Sequence, residues 1–313
     1  MLKKFDDASH KIKNEKLVFD EGTHADHKNF LEEEKTITEI DEHLRGGLSL
    51  EGVDISSSVM RLNSAPPPET FTLVPLENSN LSIRTEKYKG SSKDIIFVHL
   101  HRSEPIALDV ARKIGNMLQI NVVTLMDPSM PHNSDRYGTL MHRKIAYAYD
   151  PNKVFTLEGC MQTLNMRNSN YKFLDKSVRE EIAQDLLEKG KMIAAQFMEK
   201  GTIIAVHNTE NQTIADFKGL GMEVNIGERK GFGDSFFVVT ERADYDVLKS
   251  AGYNVVLQKL SDKDDGSLSY LCSIYGQRYI NIDSSSDPRI NASLAEVALN
   301  VLAGRRPDAS PGK

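Results

Sequence analysis

Seven short apolar runs, each of strand length, alternate with helical stripes along most of this chain, and that alternation limits the folds open to it. The runs are FTLVPL at 71–76, IIFVHL at 95–100, NVVTLM at 121–126, TIIAVH at 202–207, SFFVVT at 235–240, YNVVLQ at 253–258 and YINID at 279–283. They are rich in β-branched and aromatic residues and are bounded by Gly, Asn, Asp or Lys, the pattern of buried strands. Between them, Ile106, Val110, Ile114 and Leu118 recur every four residues as one helical stripe. Val178, Ile182, Leu186, Ile193 and Phe197 mark a longer helix. Tyr245, Leu248 and Ala251 predict a short helix closed by Gly252, and Leu294, Val297 and Val301 a last one closed by Gly304. Strands interleaved with helices predict an α/β fold with a mixed, mostly parallel sheet covered by helices on both faces. The polar stretch 127–171 shows neither period and reads as an irregular functional loop system.

The 313 residues suffice for one large α/β domain, read here as 69–304. Residues 1–68 are polar, weakly periodic and closed by Pro66, Pro67 and Pro68, so they read as a flexible arm suited to contacting a protein partner. Residues 305–313 read as a disordered tail. Residues 1–70 hold 9 Lys/Arg against 15 Asp/Glu, so the chain's net charge of −6 falls in that leading segment. The other 243 residues hold 30 of each sign, without the basic stripe of a nucleic-acid binder, and nucleic acid is excluded as a partner. No run approaches the roughly 20 apolar residues of a membrane span. The two cysteines, Cys160 and Cys272, make no disulfide framework, and the charged N-terminus lacks a secretory core. These features point to a cytoplasmic protein, with export by a signal-independent route left open.

The chemistry-bearing residues stand at the strand ends, where ligands bind in open α/β sheets. His101 and Glu104 follow the run IIFVHL with H-x-x-E spacing across a strand-to-helix turn. His207 ends the buried run TIIAVH. Two histidines and a glutamate are a donor set that zinc takes, with a fourth position left for water. His99 is either an outer partner of that set or a core residue. The glycines of KGFGDSFF (230–237) precede a strand instead of opening a helix, the wrong order for a dinucleotide fingerprint.

H-x-x-E, a long gap, then a strand ending in His resembles the zinc carboxypeptidase superfamily, including its succinylglutamate desuccinylase and aspartoacylase branch. That branch carries D-x-N-R-x-F between the two ligand motifs, and this chain has DPNKVF at 150–155 in that interval. The resemblance covers about residues 90–285. It implies Zn2+ held by His101, Glu104 and His207, and a substrate carboxylate gripped by Asn152 and Lys153, with Arg136, Arg143 and Arg167 able to supplement them. Lys153 stands where the family has arginine, a point charge in place of a two-pronged fork. The family's catalytic glutamate on a late strand is matched best by Asp283, one methylene shorter, with Glu241 as the fallback. The implied function is zinc-dependent hydrolysis of a small amide bearing a carboxylate: a peptide, a cell-wall peptide or an N-acyl amino acid. The alternative is a catalytically weakened metal-binding or regulatory protein on the same fold.

Overall fold

A computed structural model describes residues 68–304 except 69, 89–93, 131–134, 200, 209–212, 230, 231 and 233, together with the backbone of three two-residue strands earlier in the chain. Those are β1 (Leu17–Val18), β2 (Ser49–Leu50) and β3 (Val53–Asp54). Apart from these strands and Pro68, the arm over 1–68 lies outside the described residues, as does the tail over 305–313.

The main domain runs β4 (Thr70–Pro75), β5 (Ser82–Lys87), β6 (Ile95–His99), α1 (Pro105–Leu118) and β7 (Asn121–Met126). A hairpin of β8 (Gly138–His142) and β9 (Ile145–Tyr149) follows, then α2 (Leu157–Arg167) and α3 (Lys176–Ala194). Next come β10 (Thr202–Asn208), α4 (Ile214–Gly219), β11 (Glu223–Asn225) and β12 (Phe236–Val239). The chain closes with α5 (Arg242–Ser250), β13 (Val255–Leu257), α6 (Leu268–Tyr275), β14 (Arg278–Ser284) and α7 (Pro288–Leu302).

Nine of these strands, with β1 added at one edge, form a sheet in the order β1-β4-β5-β7-β6-β10-β14-β12-β13-β11. Its centre, β7-β6-β10-β14, is parallel throughout, while β4 and β5 on one flank and β12 and β11 on the other introduce antiparallel neighbours. The α/β expectation holds, with a mixed sheet whose parallel strands form the middle. Because side chains alternate along a strand, each central strand feeds two cores. Ile204, Val206, Phe97, Ile280 and Ile282 face α1, α5 and α7 through Val110, Leu248, Leu294 and Ala298. Ile203, Ala205, Val98 and Tyr279 face α2, α3 and α6 through Leu164, Ile182, Leu186 and Leu271. Every residue of β10 is buried, as expected of the central strand of a sheet with both faces covered.

The stretch 127–171 is not irregular. It holds the β8–β9 hairpin, a 3-10 turn at Pro151–Lys153 and all of α2. Its order comes from caps and pairings that leave little periodic trace: the Thr156 hydroxyl accepts from Gly159 N at 3.0 Å, and Asn168 bonds both N and O of Ala148. Strand β5 (SIRTEK) was likewise invisible as an apolar run. Its Glu86 is buried, and an ion pair with Arg84 at 2.9 Å and one with Arg112 at 2.8 Å make that burial tolerable.

Glu296 on α7 is buried, and its Oε2 has no hydrogen-bond partner among the described residues. Burial raises its carboxyl from 4.5 to about 7. The fold therefore favours the neutral acid. From about pH 4.5 upward the unfolded chain gives up this proton while the folded chain keeps it, so stability falls until about pH 7. Unfolding by denaturant at pH 5 and pH 8 should show about 1–3 kcal/mol of this loss in the wild type. Glu296→Gln should remove most of it; an unchanged pH profile in the variant would place the sensitivity elsewhere.

Candidate metal centre

Strand β6 ends at His99, and after five intervening residues α1 begins at Pro105, a residue suited to the first helical position. The turn between carries His101 and Glu104, both buried. Glu104 is the N-cap residue of α1, but its side chain makes no cap bond and turns into the site. His99 fixes this turn from the far side of the sheet. Its Nε2 lies 3.0 Å from the Glu104 carbonyl, which can only accept, so Nε2 carries the proton and Nδ1 accepts from the Thr124 hydroxyl at 3.0 Å. Burial, opposed by Glu104, pulls the His99 pKa down to about 3, so the ring stays neutral. His99 is thus an outer support, acting on the backbone of Glu104.

Strand β10 pairs with β6 through Ala205 and Val98, which brings His207 level with the start of that turn. The outcome is a compact buried set. His101 Nδ1 and His207 Nδ1 are 3.1 Å apart; His101 Nδ1 is 3.1 Å from Glu104 Oε1, and His207 Nδ1 is 2.9 Å from Glu104 Oε2. One donor atom from each of the three residues lies within 4.8 Å of the others, the one such group of His, Cys, Asp or Glu among the described residues. Ligand atoms at about 2.0–2.1 Å from a tetrahedral zinc sit roughly 3.3 Å apart, so this spacing suits a single ion.

The protons support the same reading. His101 Nε2 lies 2.8 Å from Asp150 Oδ1, and a carboxylate accepts, so Nε2 carries a hydrogen and Nδ1 is the atom turned to the centre. Burial disfavours charge on His101, yet Asp150 and Glu104 outweigh it and hold its pKa at about 9. Burial pushes Glu104 and Asp150 the other way, but the histidines, with Arg136 beside Asp150, hold both carboxyls far below the ordinary range. Positive charge on these imidazoles and on Arg136 balances the two buried carboxylates. A divalent ion held there would take the place of ring protons.

Asp150 and Arg136 complete the centre, and neither stood out in the sequence as part of it. Asp150 follows β9 at the head of the DPNKVF segment, where its Oδ1 also accepts from Asn152 N at 2.9 Å. Arg136 reaches in from the β7–β8 connection, its Nη1 2.5 Å from Glu104 Oε1 and its Nε 3.8 Å from Asp150 Oδ2. An acid ending a strand opposite a candidate ligand was a usable signal for Asp150; Arg136 was read from the sequence only as a supplement for a substrate carboxylate, and nothing there tied it to Glu104.

The other sequence-derived residues lie at varied distances from this centre. Asp283 stands on β14 in direct register with His207 on β10, buried, and on the face that carries Tyr279 and Ala205. Asn152 and Lys153 engage the 264–268 loop: the Asn152 Oδ1 accepts from Leu268 N at 3.1 Å, and Lys153 pairs with Asp265. Burial would raise the Asp265 carboxyl, but Lys153 and Ser267 bring it below its ordinary value. That loop packs so closely that a Cβ on Gly159 would meet Gly266 Cα at 2.2 Å, and Gly266 itself has φ +71°. Arg143 sits at the exposed β8–β9 turn, paired with Glu181 at 2.8 Å, and is not among the groups gathered at the centre. Arg167 lies over the Tyr137 ring at 4.0 Å. Glu241 precedes α5 at the opposite end of the sheet, because β12 runs antiparallel to β14 with Val239 opposite Ile280. That position rules it out as the proton carrier beside His207.

No family profile matches the chain, and no curated protein matches it by sequence. Solved structures to which it is similar include the succinylglutamate desuccinylase of Chromobacterium violaceum, at 12% identity over 78% of this chain and 72% of that one, TM-score 0.39. A metallo-carboxypeptidase from Burkholderia cenocepacia is similar at 12% identity over 80% and 68%, TM-score 0.39. An aspartoacylase family protein from Mesorhizobium loti is similar at 14% identity over 78% and 68%, TM-score 0.36. Among the described residues no helix is long and apolar enough to cross a membrane.

Proposed function

We propose that this protein is a zinc-dependent amide hydrolase of the carboxypeptidase or deacylase type, acting on a small substrate that bears a carboxylate. The observation that carries the reading is the buried convergence of His101, Glu104 and His207 with Asp150 locking the His101 tautomer. A structural zinc site would be closed by a fourth protein donor, whereas three donors leave a position for chemistry. Zinc held by these three residues would supply a Lewis acid that polarises the scissile carbonyl and acidifies water. Asp283 takes a proton from the attacking water and delivers it to the leaving amine. Arg136, a cation at the edge of the centre, favours the charge that builds on the carbonyl oxygen. Asn152, through its amide nitrogen, and Lys153, shared with Asp265, bind the substrate's carboxylate; Arg143, paired with Glu181 at the exposed β8–β9 turn, would supplement them only by leaving that pair.

The pairing of Lys153 with Asp265 and the short reach of Asp283 favour one second reading, a metal-binding regulatory protein with weak or no catalysis. One experiment separates the two. Protein purified with zinc present should carry about one ion per chain. It should release free amine from a panel of short peptides and N-acyl amino acids, lose that activity on chelation and regain it with zinc. A bound ion without turnover on the whole panel supports the regulatory reading. Failure to bind zinc at all sinks both.

A further inference from the structure

We infer that Arg136, through its charge beside Glu104, also weakens metal binding at the proposed centre, so that the ion is held with less affinity than the three donors alone would give. The inference rests on the reading of His101, Glu104 and His207 as ligands. Glu104 divides its two oxygens: Oε2 faces His207 Nδ1 at 2.9 Å, while Oε1 is shared between His101 Nδ1 at 3.1 Å and Arg136 Nη1 at 2.5 Å. The shortest of these three contacts belongs to the guanidinium, and a charge-assisted bond of that length is strong. Arg136 also approaches Asp150 Oδ2 at 3.8 Å, while Asp150 Oδ1 holds His101 Nε2 at 2.8 Å. One cation therefore touches both the ligand carboxylate and the carboxylate that orients a ligand imidazole.

Two effects of opposite sign follow. By orienting Glu104 and Asp150, Arg136 preorganises the donors, and losing such outer contacts ordinarily weakens metal binding about 10- to 100-fold. By drawing on Oε1 and placing a permanent positive charge beside a doubly charged ion, it opposes binding. The second effect wins for three reasons. Glu104 is wholly buried, so the repulsion is poorly screened. Arginine cannot shed its proton to relieve it. The orienting work is duplicated, because Glu104 is also fixed by His99 at its backbone carbonyl, and Asp150 by Asn152 N at its carboxylate and by the Thr163 hydroxyl, which accepts from its backbone N. With 29% of the Arg136 side chain exposed, solvent moderates the effect without cancelling it. What the arrangement gains is acidity: a carboxylate that shares its charge with a guanidinium donates less to the ion and leaves it more electron-poor.

The test is the zinc dissociation constant of the full chain, read by competition with a chromophoric chelator for wild type, Arg136→Gln and Arg136→Lys. Arg136→Gln keeps a donor for Oε1 and removes the charge, and should bind zinc about tenfold more tightly or better; at 1.4 kcal/mol per decade that is a shift well outside error. Arg136→Lys retains the charge and should stay within about threefold of wild type. Equal or weaker zinc binding in Arg136→Gln, with circular dichroism unchanged, overturns the inference and makes Arg136 a supporting partner of the ligands. Wild type that binds no zinc fails at the ligand assignment instead, so the two failures are distinguishable.

Discussion

His207→Ala should reduce bound zinc from about one ion per chain to less than about a tenth, and lower amide hydrolysis by a factor on the order of 1,000 or more. A centre with three protein donors cannot lose one and keep a catalytic geometry. In this chain the loss is compounded, because Glu104 Oε2 and His101 Nδ1 both lean on His207 Nδ1. The His207 ring is buried at the end of the central strand, with its Nε2 unpartnered among the described residues, so truncation also removes an unsatisfied polar atom. The cost in stability should stay within about 1–3 kcal/mol, small enough for the variant to fold. His99→Ala is the informative contrast. It removes the bond to the Glu104 carbonyl and the bond to Thr124 but leaves all three donors, so it should loosen zinc by about 10- to 100-fold without abolishing it. Zinc retained at full occupancy in His207→Ala, with the fold intact by circular dichroism, would disprove the ligand set.

The parts of this molecule that could be read from the sequence are those where one residue type answers to one physical demand. A central strand buried on both faces must be apolar throughout, and TIIAVH, IIFVHL and YINID announced β10, β6 and β14 for that reason. A histidine or an acid closing such a run has no apolar purpose, and so His101, His207 and Asp283 stood out, with Glu104 following at ligand spacing. The elements that escaped notice are held by polar bonds between distant residues. Helix α2 begins on a Thr156 cap and packs through Gly159 against Gly266, and nothing within its eleven residues signals either. Strand β5 depends on Arg112, 26 positions beyond Glu86, to make a buried acid tolerable. Arg136 follows the same rule at the centre itself: its value comes from Glu104 and Asp150, which meet it only once β6, β9 and the β7–β8 connection are assembled.

Asp283→Asn should leave zinc occupancy unchanged and lower kcat by about 100- to 10,000-fold, the range expected when a positioned proton carrier is lost. The case rests on topology. Strand β14 is the last to be made, yet it inserts between β10 and β12, and its parallel pairing sets Asp283 opposite His207. Strands pair at about 4.8 Å, and partners in register point to the same face, so the carboxylate stands beside His207 on the side where the donor atoms converge. Four residues back on the same face lies Tyr279, whose hydroxyl is held well above its ordinary value by burial, with Cys272, Asp283 and Asp265 adding to the effect. That phenol stays neutral and cannot substitute as a base. Aspartate is one methylene shorter than glutamate, so Asp283→Glu gives the measurement a second arm. If reach limits the wild type, the longer acid should match or exceed its kcat; if the strand register already delivers the carboxylate, it should fall below. Asp283→Asn with kcat within tenfold of wild type would remove Asp283 from the reaction and turn attention to Asp265, the acid paired with Lys153. Loss of zinc together with activity would instead make Asp283 a support for His207, acting through the ligand and not on the substrate.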